Sequence, residues 1–232
     1  MSWLYELPAF GLTLTLSVYL ASFWLYHRLG RPGLASPVLV SVVVIAGVLQ
    51  LTGMPYALYL EQVALLTMLL GPATVALALP LLRNGRALVT SAPAVTITLV
   101  IGGVLSIAVT VTGMLALGAS DEVLRAALPR SVTSPVGLTI AEILQASVPL
   151  AVVLTLISGV LGAVLGPALL SLARVRDERA RGFAVGLTSH GIGTSRVLTE
   201  SSAAGGWSSA AMVLNALVMT IALPLVAALV TG

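Results

Sequence analysis

The chain holds no cysteine and no lysine, and only 8% of its 232 residues are charged. Without cysteine there is neither a disulfide framework nor a thiolate metal site. The two histidines, His27 and His190, lie far apart without ligand-like spacing, so no metal is expected. No cofactor is expected either. Soluble domains carry about 25% charged residues. A chain this poor in charge, 58% hydrophobic and with a mean hydropathy of +1.10, has lipid as its solvent. The net charge of +3 does not point to nucleic acid. All eleven basic residues are arginines, set in short pairs between apolar blocks, where cytoplasmic loops put them.

The apolar blocks come next. A bilayer core of about 30 Å needs about 20 helical residues. Residues 7–26 fit, with no basic stretch ahead of them and with His27, Arg28 and Arg31 behind, which reads as an uncleaved first span. Residues 36–51 form the second block. Residues 61–82 form the third, interrupted at Gly71-Pro72 and followed by Arg83 and Arg86. Residues 87–117 are the fourth. Residues 130–147 are too polar to face lipid. Residues 149–172 are a clear span, then come Arg174, Arg176, Arg179 and Arg181, the polar stretch 182–200, and a last span at 207–230.

Placing the arginine-rich loops in the cytoplasm sets the N-terminus outside and the C-terminus inside. It also requires residues 130–147 to dip in from the outer face without crossing. The expected fold is therefore an all-α integral membrane protein, one transporter-like domain over residues 1–232. It has seven transmembrane helices plus a re-entrant segment. The segments 36–51, 61–82 and 87–117 run opposite to 149–172, 182–200 and 207–230, and the middle member of each trio is broken, which predicts an inverted repeat over residues 34–117 and 131–231.

The breaks carry the candidate chemistry. At Gly71, Pro72, Ala73 and Thr74, glycine can end one half-helix and proline begin the next, presenting free N–H groups to an anion beside the Thr74 hydroxyl. An ordinary proline kink is the alternative. In residues 182–200, Gly191 and Gly193 flank a second break. Ser189 and His190 precede it, and Thr194, Ser195 and Arg196 follow. A carboxylate there would meet N–H groups, hydroxyls and the arginine. His190 is either a proton carrier, because imidazole switches near neutral pH, or a packed structural group. The hydroxyls of Ser131, Thr133 and Ser134 precede a short helix in a cap-like arrangement. Glu142, two turns beyond Pro135, is either a proton-coupling group or an interfacial carboxylate. Asn215 reads as interhelical glue and Gly162/Gly166 as a packing pair. Trp3, Trp24 and Trp207 read as interfacial anchors. Ser189-His190 lacks a nucleophile elbow and an orienting carboxylate, so no enzyme activity is expected.

Three of these stretches resemble one family: LLGPATVALALP at 69–80, SVTSPV at 131–136 and ARGFAVGLTSHGIGTSRVL at 180–198. They are similar to the LrgB family of bacterial membrane proteins, also called CidB-like or YohK-like. Ser134 departs from the threonine frequent there and keeps the hydroxyl. The resemblance implies a multi-pass protein of the bacterial inner membrane with one of two activities. Members have been described as antiholin-like regulators of murein hydrolase export and autolysis, working with an LrgA/CidA-type partner. The plastid relative fuses LrgA-like and LrgB-like halves and is similar to a glycolate/glycerate translocator, and bacterial pairs are linked to pyruvate. With broken helices as an anion site, transport of a small monocarboxylate (glycolate, glycerate, lactate or pyruvate) is the expectation, with His190 and Glu142 as the candidates for proton coupling. The antiholin-like role is the alternative, and a homo-oligomer remains open.

Overall fold

A computed structural model describes residues 7–30, 36–76 and 78–230. Trp3 and Arg31 lie outside the described residues, as does the side chain of Thr74. Among the described residues all regular structure is helical. The chain forms two compact units, residues 1–74 and 75–232.

The first unit contains α1 (Phe10–Arg28), α2 (Pro37–Thr52), α3 (Tyr56–Gln62) and the bulk of α4 (Ala64–Ala76). Helix α2 begins where the Ser36 hydroxyl accepts from the Leu39 N–H at 3.3 Å, with proline in the first turn. It stops at Gly53, whose φ of 68° is the left-handed conformation that glycine adopts without strain. The Ser41 hydroxyl donates to that of Ser22 at 3.3 Å, tying α2 to α1. Helix α3 docks on the start of α1: the Gly11 N–H donates to Gln62 Oε1 at 2.6 Å, and the Thr15 and Tyr59 hydroxyls lie 2.8 Å apart.

The break in this unit falls at buried Val63, where α3 and α4 meet at 60°. It does not fall at Gly71-Pro72, which the sequence suggested. Helix α4 runs through Pro72. Proline forfeits one ladder bond there, but residues 71–73 are exposed and the helix continues through them. The bend sits instead where docking of Tyr59 and Gln62 on α1 fixes the direction of α3.

The second unit contains α5 (Ala78–Arg83), α6 (Gly85–Thr90), α7 (Ala92–Ala116), α8 (Asp121–Ala127), a 3-10 turn (Leu128–Ser131), α9 (Ser134–Ile143), α10 (Val148–Leu172), α11 (Glu178–Leu198) and α12 (Ser202–Val230). Helices α7, α10 and α12 are long and apolar enough to cross a bilayer. Counting α3 and α4 as one bent span brings the described residues to four such elements, not seven.

Two hairpins sit among α7, α10 and α12. Residues 121–143 form the first. Helix α8 runs in, the 3-10 turn makes the tip, and α9 runs out, with Ala126, Ala141 and Ala151 packed together near the N-terminal end of α10. Residues 130–147, expected to be re-entrant, supply the tip and the returning arm of a hairpin whose first arm begins at Asp121. Residues 178–198 form the second hairpin, and here the expectation of a crossing fails. A straight 21-residue helix would be about 30 Å long, yet Glu178 at its start accepts a hydrogen bond at 2.8 Å from the Ser201 hydroxyl just past its end. Val185 and Val197 share one cluster with Ala204. The chain reverses at His190, whose φ of 41° and ψ of −136° are non-helical.

The second hairpin opens at the opposite end of α10 from the first. Glu178, Arg181, Glu200 and Ser201 line one concavity with Pro167 and Leu170. The start of α7 lies at this same end, because Ser91 and Ala94 line a space with Asp177 and Arg179. The loops holding Arg83/Arg86 and Arg174–Arg181 thus share a face, as charge counting required. Helix α12 starts there and ends at the other face. A cytoplasmic C-terminus had depended on residues 182–200 crossing completely, and they turn back. Trp207 is buried, its ring 6.5 Å from that of Phe183, and is core rather than anchor. Trp24 is exposed, with the Arg28 guanidinium 4.8 Å over its ring.

Candidate functional site

The second hairpin can reach mid-unit because its neighbours lack side chains. Its inward arm runs along Gly159, Gly162 and Gly166 of α10. A methyl at Gly162 would overlap the Ser189 hydroxyl, and one at Gly159 would come within 2.6 Å of the His190 ring. On the other side Gly182 and Gly186 touch the backbone carbonyls of Ala204 and Ser208 on α12. Small residues allow this approach of backbones. The histidine conformation costs ~1–3 kcal/mol and is held by two hydrogen bonds. His190 Nε2 lies 3.1 Å from the Thr155 carbonyl, which can only accept, so Nε2 carries a proton. The Thr194 hydroxyl donates to the His190 carbonyl at 2.7 Å and therefore accepts from the Ser208 hydroxyl at 2.8 Å. The outward arm begins at the tip, so its first N–H groups and its positive dipole end lie there.

At the tip of the first hairpin stands Arg130. Its Nε donates to Thr110 Oγ1 at 2.7 Å, Nη1 to Ser158 Oγ at 3.2 Å and Nη2 to the Ser106 carbonyl at 3.4 Å. Every acceptor is neutral. Among the described residues no carboxylate pairs with it, so a guanidinium charge sits uncompensated between α7 and α10. Three residues on, Thr133 opens α9 without a side-chain capping bond, leaving the first-turn N–H groups available.

The two tips meet. Thr155 and Ser158, which hold His190 and Arg130, lie one turn apart on the same face of α10. Asn215 of α12 bridges the hairpins: its Nδ2 donates to the Ser131 carbonyl at 3.0 Å and to the Leu187 carbonyl at 3.3 Å. Its Oδ1 is buried and has no hydrogen-bond partner among the described residues. The result is a small polar junction, with two helix N-termini and one unpaired cation, inside an apolar shell.

Of the residues singled out from sequence, Ser131, Ser189, His190, Gly193 and Thr194 are buried at this junction, with Gly191 and Thr133 half-buried beside it. Ser134 is exposed. Arg196 sits on the outward arm, paired with Glu200 at 2.9 Å toward the hairpin's open end. Glu142 is exposed near the end of α9. Gly71, Pro72 and Ala73 are exposed in the first unit. Sequence reading passed over Arg130, Thr155, Ser158 and Ser208. Arg130 did leave a signal: it is an arginine directly before the hydroxyl run, within the segment expected to be re-entrant. The others look like any serine or threonine in an apolar helix. Gly162 and Gly166 are packing positions, as expected.

The sequence model described as "LrgB-like family" matches residues 15–229. The uncharacterised protein YwbG of Bacillus subtilis is 34% identical over 92% of this chain and 95% of its own length. YxaC of the same organism is 33% identical over 92% of each chain. The holin-like protein CidB of Staphylococcus epidermidis is 28% identical over 91% of this chain and 92% of its own. No solved structure matches.

Proposed function

This chain belongs to the LrgB-like family, and we propose that its second unit is a transport core for small monocarboxylates of the glycolate, glycerate, lactate and pyruvate class. One observation carries the reading: the Arg130 guanidinium has only neutral partners among the described residues where two hairpin tips and two helix N-termini converge. A carboxylate supplies the missing charge and accepts from guanidinium and backbone N–H groups together. Half-helix N-termini meeting near mid-membrane are how several secondary transporters hold anionic substrates. His190, at the same turn of α10, is the proton-coupling group in this reading.

The proposal extends to topology. With the arginine loops in the cytoplasm, the first hairpin dips from the outer face and α12 ends outside. The repeat relation in this reading pairs residues 121–143 with residues 178–198, not residues 61–82 with residues 182–200. The test is uptake of labelled glycolate, glycerate, lactate and pyruvate into proteoliposomes under a pH gradient, with and without an LrgA-type partner. No uptake of any of them defeats the reading.

The holin-like name of the CidB relatives favours a second reading, an antiholin-like regulator of murein hydrolase export acting through an LrgA/CidA-type partner. In that case Arg130→Gln leaves an autolysis phenotype intact. In the transport case, any phenotype that depends on substrate disappears with it.

A further inference from the structure

Where α10 ends, the chain turns through paired hydrogen bonds: the Arg174 N–H donates to the Ser171 carbonyl at 3.0 Å and the Val175 N–H to the Leu170 carbonyl at 2.9 Å. This is a Schellman stop, and its pivot is left-handed. Glycine is the usual occupant, because an L side chain is strained there by ~1–2 kcal/mol. Here the pivot is Arg174, with φ 60°. A guanidinium stands at the one position of the turn where a side chain is least welcome.

Its surroundings give that guanidinium a use. Arg174 and Arg176 are exposed, and neither makes an ion pair or a side-chain hydrogen bond among the described residues. Arg181 is fixed differently, donating to the Val175 carbonyl at 3.0 Å, the Pro167 carbonyl at 3.2 Å and the Ser171 hydroxyl at 3.2 Å. These three arginines, with Ser171, Val175 and Glu178, line a concave space of about 430 Å³. Glu178 is the one carboxylate in that lining and accepts from the Ser201 hydroxyl. Asp177, its neighbour in the loop, faces Arg179: the Arg179 N–H at 2.8 Å and then its side chain hold the Asp177 carboxyl below the usual range. Three cations therefore line the space against one acid. Alongside it Leu169 and Leu172 are 59% and 81% exposed, at the end of an apolar helix long enough to span a bilayer.

We propose that this concavity binds a phosphate-bearing anion, and its position favours the headgroup of an anionic phospholipid as the source. Guanidinium forks match phosphate oxygens, and basic pockets at the cytoplasmic ends of membrane helices suit anionic headgroups. The exposed leucines lie where the acyl chains would run. A headgroup bound here braces the root of the second hairpin, which starts at Glu178. The proposal stands independently of transport.

The test is the thermal midpoint of the full chain in detergent, titrated with phosphatidylglycerol, phosphatidylcholine or inorganic phosphate. A rise of several degrees with phosphatidylglycerol but not phosphatidylcholine is expected. It should be lost in Arg174→Gln/Arg176→Gln and kept in Arg83→Gln. Arg174→Gly guards against a folding defect. Glycine suits the pivot, so this variant should melt no lower than the parent without lipid, yet respond less to phosphatidylglycerol. An equal response to inorganic phosphate, lost in the same variants, supports the site with a soluble source. The proposal is overturned if the parent responds to neither anion, or if the response survives in both the double variant and Arg174→Gly.

Discussion

Arg130 gives its guanidinium to a threonine hydroxyl, a serine hydroxyl and a carbonyl, none of which is charged. Hydrogen bonds to charged groups contribute ~1.5–3 kcal/mol, so under the proposed transport function Arg130→Gln should lower monocarboxylate uptake by about ten- to hundredfold. Arg130→Lys should rescue it poorly, because an ammonium cannot reach three acceptors on α7 and α10 together. Proteoliposome uptake checks both, with a melting curve to show that the variants fold. Asn215 has a different part. Its amide N–H groups satisfy two carbonyls from two hairpins, so Asn215→Ala leaves both unpaired and should cost ~1–3 kcal/mol. That is a stability effect, read as a lowered thermal midpoint. The glycines separate along the same lines. Gly162→Ala drives a methyl into Ser189 and should destabilise the unit, whereas Gly71→Ala meets nothing within 4 Å and should be silent. Unchanged melting for both variants would contradict the packing described.

At the scale of elements, the decisive feature is that α11 turns back. Its composition is that of a polar span, and periodicity cannot distinguish a helix that kinks onward from one that folds on itself. What decides is packing: a glycine face on α10, a second on α11 against α12, and the Glu178–Ser201 bond that closes the open end. The absence of native cysteine makes this testable with single introduced ones. Arg176→Cys and Ser202→Cys, flanking α11, should react with a membrane-impermeant maleimide from one side. Asp121→Cys and Gln145→Cys, flanking the first hairpin, should react from the other. Labelling of Arg176→Cys and Ser202→Cys from opposite sides would mean that α11 crosses.

For the whole molecule, an odd number of long spans in the second unit separates the arginine-rich face from the C-terminal end of α12. An alkaline phosphatase fused at the C-terminus should therefore be active, while a cytoplasm-dependent fluorescent reporter there should be dark. The opposite pair of results would restore the orientation inferred from charge alone. The first unit was read more accurately in its helices than in its bend. Ser36, Pro37 and Gly53 mark the limits of α2 locally. The 60° turn, however, belongs to Val63 and the docking of α3, not to the more conspicuous Gly71-Pro72.

The sequence by itself determined the solvent, the helical class, the family, the shared face of the arginine loops, and the fact that residues 182–198 and 131–136 are special. Each of these depends on composition, on local capping chemistry or on motif, all of which act within a few residues. Only the tertiary structure decided that both polar stretches belong to hairpins, that the tips meet on one turn of α10, and that Arg130 rather than Arg196 stands at the meeting point. Those facts depend on which backbones can approach closely, and that is set by glycines paired across helices far apart in the chain.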